Sequence, residues 1–192
     1  LRRFIQKIFP KIVKKFPRVK FAIAGGVSNC ASIIKDSSRF PKNVYRLGRV
    51  DDLSSVYHKS KIVISPIYEG AGVKVKNYEA LSYGKPLVGT KFSFDGIAVV
   101  PDQDAILVDS DEEFASRLLS LLQSNVDQER LSSNALSFMK RQELNFPLLV
   151  ESILGPTESN IQKENENDLK LLYGCQRVVF RNDGKFLKRH KA

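Results

Sequence analysis

The apolar residues of the chain fall into short runs separated by longer stretches with a helical pattern. Five runs of branched apolar residues, bounded by Gly, Pro or Asp, predict buried strands at residues 19–24, 44–47, 62–65, 86–89 and 105–108. Apolar residues three or four positions apart predict helices at residues 28–37, 51–59, 74–83, 111–123 and 126–143. Strands that alternate with helices predict an α/β fold, a Rossmann-like parallel sheet with helices on both faces.

The start of the chain predicts a further, amphipathic helix. Its apolar positions recur at helical spacing, and Lys and Arg occupy the other positions. Because Pro10 lacks an N–H group, we expect this helix to bend or split there. Two interpretations are open: a surface helix packed on the sheet, or a basic helix that contacts anionic lipid.

The composition changes after residue 154. Residues 1–154 form one predicted domain, and residues 155–170 are polar without a strong period, which predicts a linker. Residues 171–192 form a basic C-terminal tail, in which 171–180 are apolar enough to supply one more strand. The first residue is Leu and not Met, so we expect that the protein begins further upstream.

The net charge of +10 is concentrated at the two ends of the chain. Residues 1–20 carry eight basic residues and no acidic one, and residues 181–192 carry a net +4, which leaves −2 between them. A nucleic-acid-binding protein more often spreads basic residues over one face of the domain, so we expect no nucleic-acid partner. Membrane-surface contact through the basic ends stays open as a hypothesis.

Cysteine, histidine and hydropathy exclude several classes of protein. The two cysteines are far apart and only two histidines exist, so the sequence predicts neither a disulfide framework nor a Cys/His metal site. No apolar run reaches the length of a membrane-spanning helix. We therefore expect a cytoplasmic protein, or one bound peripherally at the membrane.

The segment 65–90 carries the most chemical information. It predicts a strand, a loop with Gly70 and Gly72, a helix and a second strand. Ligands bind beyond the carboxyl ends of parallel strands, and a helix N-terminus favours phosphate. Lys74 in the first turn opposes the helix dipole unless an anion is bound, and Glu79 on the next turn suits a ribose diol. The pattern is neither a Walker loop nor G-x-G-x-x-G, so a ligand loop and a plain turn both remain open.

Several motifs in this order resemble one enzyme family. Residues 69–81 read EGAGVKVKNYEAL and residues 84–88 read GKPLV; upstream lie FAIAGG at 21–26 and NVYRLGRV at 43–50, and downstream lies DGI at 95–97. Over about residues 4–140 the chain resembles the C-terminal, donor-binding domain of glycosyltransferases with the GT-B fold, of the group 1 or family 4 type. The resemblance implies transfer of a hexose from a nucleotide-diphospho-sugar to an acceptor hydroxyl, with retention of configuration.

The resemblance also implies roles for residues of the glycine loop. Glu79 matches the glutamate that binds the ribose, and Glu69 matches the one that contacts the donor sugar. Nine residues separate these two glutamates, whereas seven is the common spacing. Lys74 matches the lysine that neutralises the diphosphate, beside the loop of Gly70 and Gly72.

Other matched positions complete the implied site. The backbone of Val73 lies with that of Gly72 beside the diphosphate, Leu47 and Gly48 line the base pocket, and Gly25 and Gly26 end a strand that faces the cleft. We expect no metal, because no cluster of acidic residues lies near the glycine loop and the lysine can serve instead, and no cofactor other than the donor substrate.

Enzymes of the resembled family also have an N-terminal acceptor-binding domain, and this sequence holds no match to it. We therefore expect a missing acceptor-binding domain or subunit as a partner, and a chain that is incomplete for catalysis by itself. Two alternatives stay open: a truncated, non-catalytic nucleotide-sugar-binding subunit, and a nucleotide-sugar epimerase of the same fold.

Overall fold

The computed structural model describes residues 1–29, 40–154 and 177–181, with the backbone alone for 27, 29, 144–154 and 177–181. Its centre is a six-stranded sheet in the order β2-β1-β6-β3-β4-β5. The strands are β1 (Lys20–Ala24), β2 (Val44–Gly48), β3 (Ile62–Ser65), β4 (Leu87–Thr90), β5 (Ile106–Val108) and β6 (Arg177–Arg181). All five strands of the first domain that we predicted from apolar runs are present, each within one residue of the expected start and end.

Helices cover both faces of this sheet, which confirms the predicted Rossmann-like α/β fold. They are α1 (Phe9–Lys15), α2 (Ser54–Lys59), α3 (Val75–Ser82), α4 (Asp111–Gln123) and α5 (Asn125–Leu154). One core cluster joins the sheet to α1 and α4 through the buried Phe4, Phe9, Phe21 and Phe114. A second cluster joins the other face to α2, α3 and α5.

The first helix continues past its proline and changes there from π-helical to α-helical geometry. A π-helical turn at Phe4–Ile8 precedes α1, and Pro10 falls in the first turn of α1, where a helix needs no N–H donor. Phe4, Ile5, Ile8 and Ile12 are fully buried. The apolar face of this helix therefore packs on the sheet, which is the first of the two interpretations above.

One strand departs from the expected parallel arrangement. β6 runs antiparallel to both neighbours, with Phe180 opposite Phe21 of β1 and opposite Ile62 of β3. It comes from the segment where we expected one more strand, and it joins the β1–β2 pair to the β3–β4–β5 group. Part of the predicted tail thus belongs to the sheet, and the boundaries at 154 and 170 stay predictions.

Two helices begin or end several residues away from the ends expected from the sequence. The helix expected at 51–59 begins at Ser54, because the Asp52 carboxylate accepts hydrogen bonds from the Ser54 backbone N–H and hydroxyl. Helix α5 continues through Pro147 to Leu154 instead of ending at 143. The helix expected at 28–37 falls largely outside the described residues, and a 3-10 turn occupies Gly26–Asn29. In the part of the chain that the structure describes, no helix has the length and apolar character to cross a membrane.

Candidate functional site

The sheet changes its winding direction between β1 and β3. From β1 the chain proceeds outward to β2, whereas from β3 it proceeds in the opposite direction to β4 and β5. Since β6 lies between them, β1 and β3 are two strand spacings apart, about 10 Å. In open α/β sheets ligands bind beyond the carboxyl ends of the strands at such a point. The topology alone thus places a candidate site there.

The ends of β1 and β2 form one side of this site. The Gly25 N–H donates to the Gly48 carbonyl at 2.7 Å, which joins the two strand ends directly. The buried Ser28 donates its hydroxyl to the Gly25 carbonyl, also at 2.7 Å, and so closes the following turn. The structure therefore brings together four residues assigned to the site from sequence: Gly25, Gly26, Leu47 and Gly48.

The loop after β3 forms the other side. Residues 69–73, from Glu69 to Val73, are all exposed. The backbone of Gly72 has a φ of +76° and that of Gly70 a φ of +113°, conformations that side chains disfavour. No atom lies within 4 Å of where a Cβ would stand at either glycine. Glycine is therefore required here for the backbone path, and open space borders the loop.

Lys74 closes this loop immediately before α3. Its Nζ donates to the carbonyls of Gly72 and, at 3.4 Å, of Ala71. The same ammonium lies 5.0 Å from the centroid of the Phe92 ring. We expected Lys74 inside the first helical turn, but the helix begins at Val75. The cation is thus held against the glycine loop, where an anion at the helix N-terminus would meet it.

Helix α3 carries the second glutamate and is fixed at its start. Glu79 is partly exposed one turn into α3, so it lies in the helix that follows the loop rather than in the loop itself. The buried Asn77 donates its Nδ2 to the Ser93 carbonyl at 2.7 Å. This bond ties the first turn of α3 to the 3-10 turn Lys91–Phe94.

A polar cluster that the sequence did not reveal fixes the beginning of the loop. The Tyr68 hydroxyl donates to Asp111 Oδ1 at 3.0 Å, and Arg3 Nε lies 2.9 Å from both oxygens of that carboxylate. Burial, helped by the bond to Asp111, raises the pKa of Tyr68. Burial opposes ionisation of Asp111, but the bonds from Arg3 and Tyr68 outweigh it and lower its pKa. Sequence separations of 43 and 108 residues gave no signal for these contacts.

Metal ligands are not grouped in the described structure. Within residues 1–29, 40–154 and 177–181, no three His, Cys, Asp or Glu side chains lie close enough together to hold an ion. The contacts of the Lys74 ammonium in this loop are with the carbonyls of Ala71 and Gly72.

The sequence profile of the family described as "Glycosyl transferases group 1" matches residues 1–124. The match covers the first helix, strands β1 to β5 and the whole glycine loop. The chain belongs to the group 1 glycosyl transferase family. The resemblance that we identified from the motifs is therefore confirmed.

The chain is similar to part of two longer curated proteins. A Klebsiella pneumoniae protein described as "Uncharacterized 44.6 kDa protein in cps region" is 25% identical over 142 residues, 71% of this chain and 37% of the relative. The poly(glycerol-phosphate) alpha-glucosyltransferase of Bacillus subtilis (strain 168) is 26% identical over 141 residues, 70% of this chain and 21% of the relative. The chain thus spans about a fifth to two fifths of these relatives.

Solved structures share the fold. TarM of S. aureus, in a complex that includes UDP, superposes with a TM-score of 0.63 at 22% identity over 80% of this chain and 32% of that protein. Anabaena Alr3699/HepE, in complex with UDP and glucose, gives 0.64 at 15% identity over 78% of this chain and 44% of that protein. At these identities the likeness concerns the fold, and it confirms the GT-B, Rossmann-like assignment.

Proposed function

We propose that the chain is the nucleotide-sugar-binding domain of a glycosyltransferase. The observation that carries the proposal is the exposed glycine loop at the winding switch of the sheet, with Lys74 held against it. The family match and the UDP bound to TarM and HepE support this choice of ligand. The bound donor would be a nucleoside diphosphate linked to a hexose.

Each assigned residue has a place in the proposed complex. The diphosphate lies between Lys74 and the backbone of Gly72 and Val73, and Glu79 accepts hydrogen bonds from the ribose. Glu69 contacts the sugar. Leu47 and Gly48 line the base pocket at the opposite side, where Gly25 and Gly26 face the cleft.

The reaction breaks the bond between the anomeric carbon of the sugar and the diphosphate oxygen. An acceptor hydroxyl oxygen forms the new bond to that carbon on the face from which the diphosphate departs, so configuration is retained, and its proton passes to an oxygen of the leaving diphosphate. Negative charge develops on the departing diphosphate, and Lys74 with the N-terminal amides of α3 stabilises it. Fixed donors of this kind stabilise the leaving group without reorganising during the reaction.

The acceptor would be bound by a part of the enzyme outside this chain. Both curated relatives are much longer than the matched segment, which supports a second, acceptor-binding domain or subunit as the partner. In the proposed arrangement this domain closes over the carboxyl edge of the sheet. The chain alone then binds the donor but transfers no sugar.

We also propose that the protein works in the cytoplasm, at the membrane surface. The basic residues of the first helix, among them Lys7, Lys14 and Lys15, are exposed, whereas its apolar face is buried in the core. Contact with an anionic surface would therefore be electrostatic and without insertion. Co-sedimentation with vesicles containing phosphatidylglycerol, lost when salt rises from 0.1 to ~0.5 M, would support it; no sedimentation at low salt would refute it.

Calorimetric titration of the full chain with UDP, GDP and ADP tests the donor proposal. We expect one nucleotide to bind with a Kd between micromolar and millimolar, about 4–8 kcal/mol. Glu79→Ala should weaken binding at least about ten-fold, as expected for a lost hydrogen-bonding carboxylate. Glu129→Ala, at an exposed position of α5, is the matched control and should bind like the unmodified chain. Binding of no nucleotide at millimolar concentration, or equal loss in both variants, would contradict the proposal.

A further inference from the structure

Three side chains from distant parts of the sequence meet at the start of the glycine loop. Asp111, the first residue of α4, is 7% exposed. It accepts hydrogen bonds from the Tyr68 hydroxyl at 3.0 Å and from Arg3 Nε at 2.9 Å. The Arg3 guanidinium also lies over the Tyr68 ring, 4.4 Å from its centroid. Tyr68 is thus held through both its ring and its hydroxyl.

The backbone just before Tyr68 is held as well. The Thr90 hydroxyl, at the end of β4, donates to the Ile67 carbonyl. The loop is therefore fixed to β4 at Ile67 and to α4 at Tyr68. The next residue is Glu69, which begins the exposed segment that contains the two left-handed glycines.

We infer that Tyr68 is a positioning residue that sets the location of Glu69 for contact with the donor sugar. The inference deepens the proposed function and depends on it. Glu69 is exposed, and Gly70 and Gly72 with their left-handed backbones come directly after it and two residues later, so the position of its Cα depends on the anchored residue before it. Tyr68 supplies that anchor from the rigid start of α4.

The chemistry of the cluster suits a fixed anchor. A hydroxyl that donates to a carboxylate forms a strong, directional hydrogen bond. Arg3 balances the charge of the nearly buried carboxylate, which would otherwise be costly to keep in place. Tyr68→Phe therefore removes one bond selectively, because the Arg3–Asp111 pair and the ring contact remain.

¹⁵N relaxation of the full chain tests the anchor directly. In Tyr68→Phe we expect the amide order parameters of residues 69–73 to fall, because the hydrogen bond that holds the residue before them is lost. The order parameters of β1 and β4 should not change. Tyr83→Phe removes the same atom at the far end of α3 and is the control. Unchanged order parameters in residues 69–73, or lower values throughout the sheet, would overturn the inference.

A comparison of two ligands tests whether the anchor acts through Glu69. The probes are whichever of UDP, GDP and ADP binds the chain, and its glucose-linked form. Tyr68→Phe should weaken the glucose-linked form about five- to ten-fold more than the free nucleotide. In a Glu69→Ala background, Tyr68→Phe should have no further effect on this difference.

The outcomes separate this inference from the proposed function. If nucleotide binding does not depend on Glu79, the proposed function fails, and the inference fails with it. Two outcomes refute only the inference when nucleotide binding does depend on Glu79. In the first, Tyr68→Phe weakens binding of the free nucleotide and of its glucose-linked form equally. In the second, Tyr68→Phe weakens the glucose-linked form as much in the Glu69→Ala background as in the unmodified chain. Equal affinity of the unmodified chain for both ligands removes the role of Glu69 and refutes the inference as well.

Discussion

Gly96 lies against the loop residue Val73, in a backbone conformation that side chains disfavour. Its backbone has a φ of +77°, and a Cβ added there would lie 2.8 Å from Val73 Cγ2. Gly96→Ala should therefore carry two costs. The left-handed conformation costs about 1–2 kcal/mol. Displacement of the stiff Val73 side chain from its rotamer costs about 0.5–1.5 kcal/mol.

A double-mutant cycle separates the two costs. In a Val73→Ala background the nearest remaining atom would be the Cβ of residue 73, which lies 3.9 Å away in ordinary contact. Gly96→Ala should then cost only the backbone strain, so the coupling between the two positions should be about 1 kcal/mol. Since Val73 belongs to the loop, Gly96→Ala should also weaken nucleotide binding.

Urea denaturation of the four proteins of the cycle gives these free energies of unfolding. Gly26→Ala is the matched control, because neither a positive φ nor a neighbour within 4 Å opposes a methyl group there. It should leave stability unchanged or raise it by up to about 1 kcal/mol. A cost of Gly96→Ala below about 0.5 kcal/mol would refute the strain argument. An equal cost in both backgrounds would refute the Val73 contact.

Two further predictions concern buried and partly buried acids. Asp104 is fully buried and accepts hydrogen bonds from Arg141 at 2.9 and 3.0 Å, so Arg141→Ala should lower stability by about 2 kcal/mol in urea denaturation. Lys140→Ala, at the neighbouring exposed position, should change it by less than about 0.5 kcal/mol. Despite burial, the pKa of Asp111 lies below its ordinary value of 3.8 because of its hydrogen bonds. Its stabilisation should therefore be complete above about pH 4 and lost as the pH falls further, and Asp111→Asn should reduce this loss between pH 4 and 2; an unchanged acid profile would contradict the pairing.

The ends of a helix or strand could be predicted from sequence where the local residue pattern and the packing of the folded chain favour the same element. Helix α4 begins and ends as expected, because Ser110 caps it with a hydrogen bond from the Glu113 N–H and three acidic residues occupy its first turn. Strand β3 also matches, since its four residues are all apolar or small and are buried on both faces. At such places the residues that define an element are neighbours in sequence.

Long-range pairing could not be predicted from sequence. The residues Arg177–Arg181 predict a strand, but nothing in them specifies the position between β1 and β3 or the antiparallel direction. Those features depend on hydrogen bonds to partners more than 100 residues away. Helix α5 shows the converse, because a proline that locally disfavours a helix is tolerated inside a long one.

The candidate site divides along the same line. The motif identified Glu69, Lys74 and Glu79 as site residues, and the glycines Gly70 and Gly72 predicted that a loop lies between the strand and the helix. The cluster of Tyr68, Asp111 and Arg3 was not, because ordinary residues at large separations form it. The direction of the Lys74 ammonium toward the loop carbonyls likewise depends on the three-dimensional path of the loop.

The central claim is that a nucleotide binds at the carboxyl edge of the sheet, between the β1–β2 ends and the glycine loop. Amide chemical-shift mapping of the ¹⁵N-labelled chain during titration with UDP, GDP and ADP tests it most directly. For the nucleotide that binds, we predict that the largest shifts fall together on Gly25, Gly48, Gly72 and Val73 and saturate with one Kd. Shifts confined to the basic first helix, or none at millimolar nucleotide, would contradict the claim.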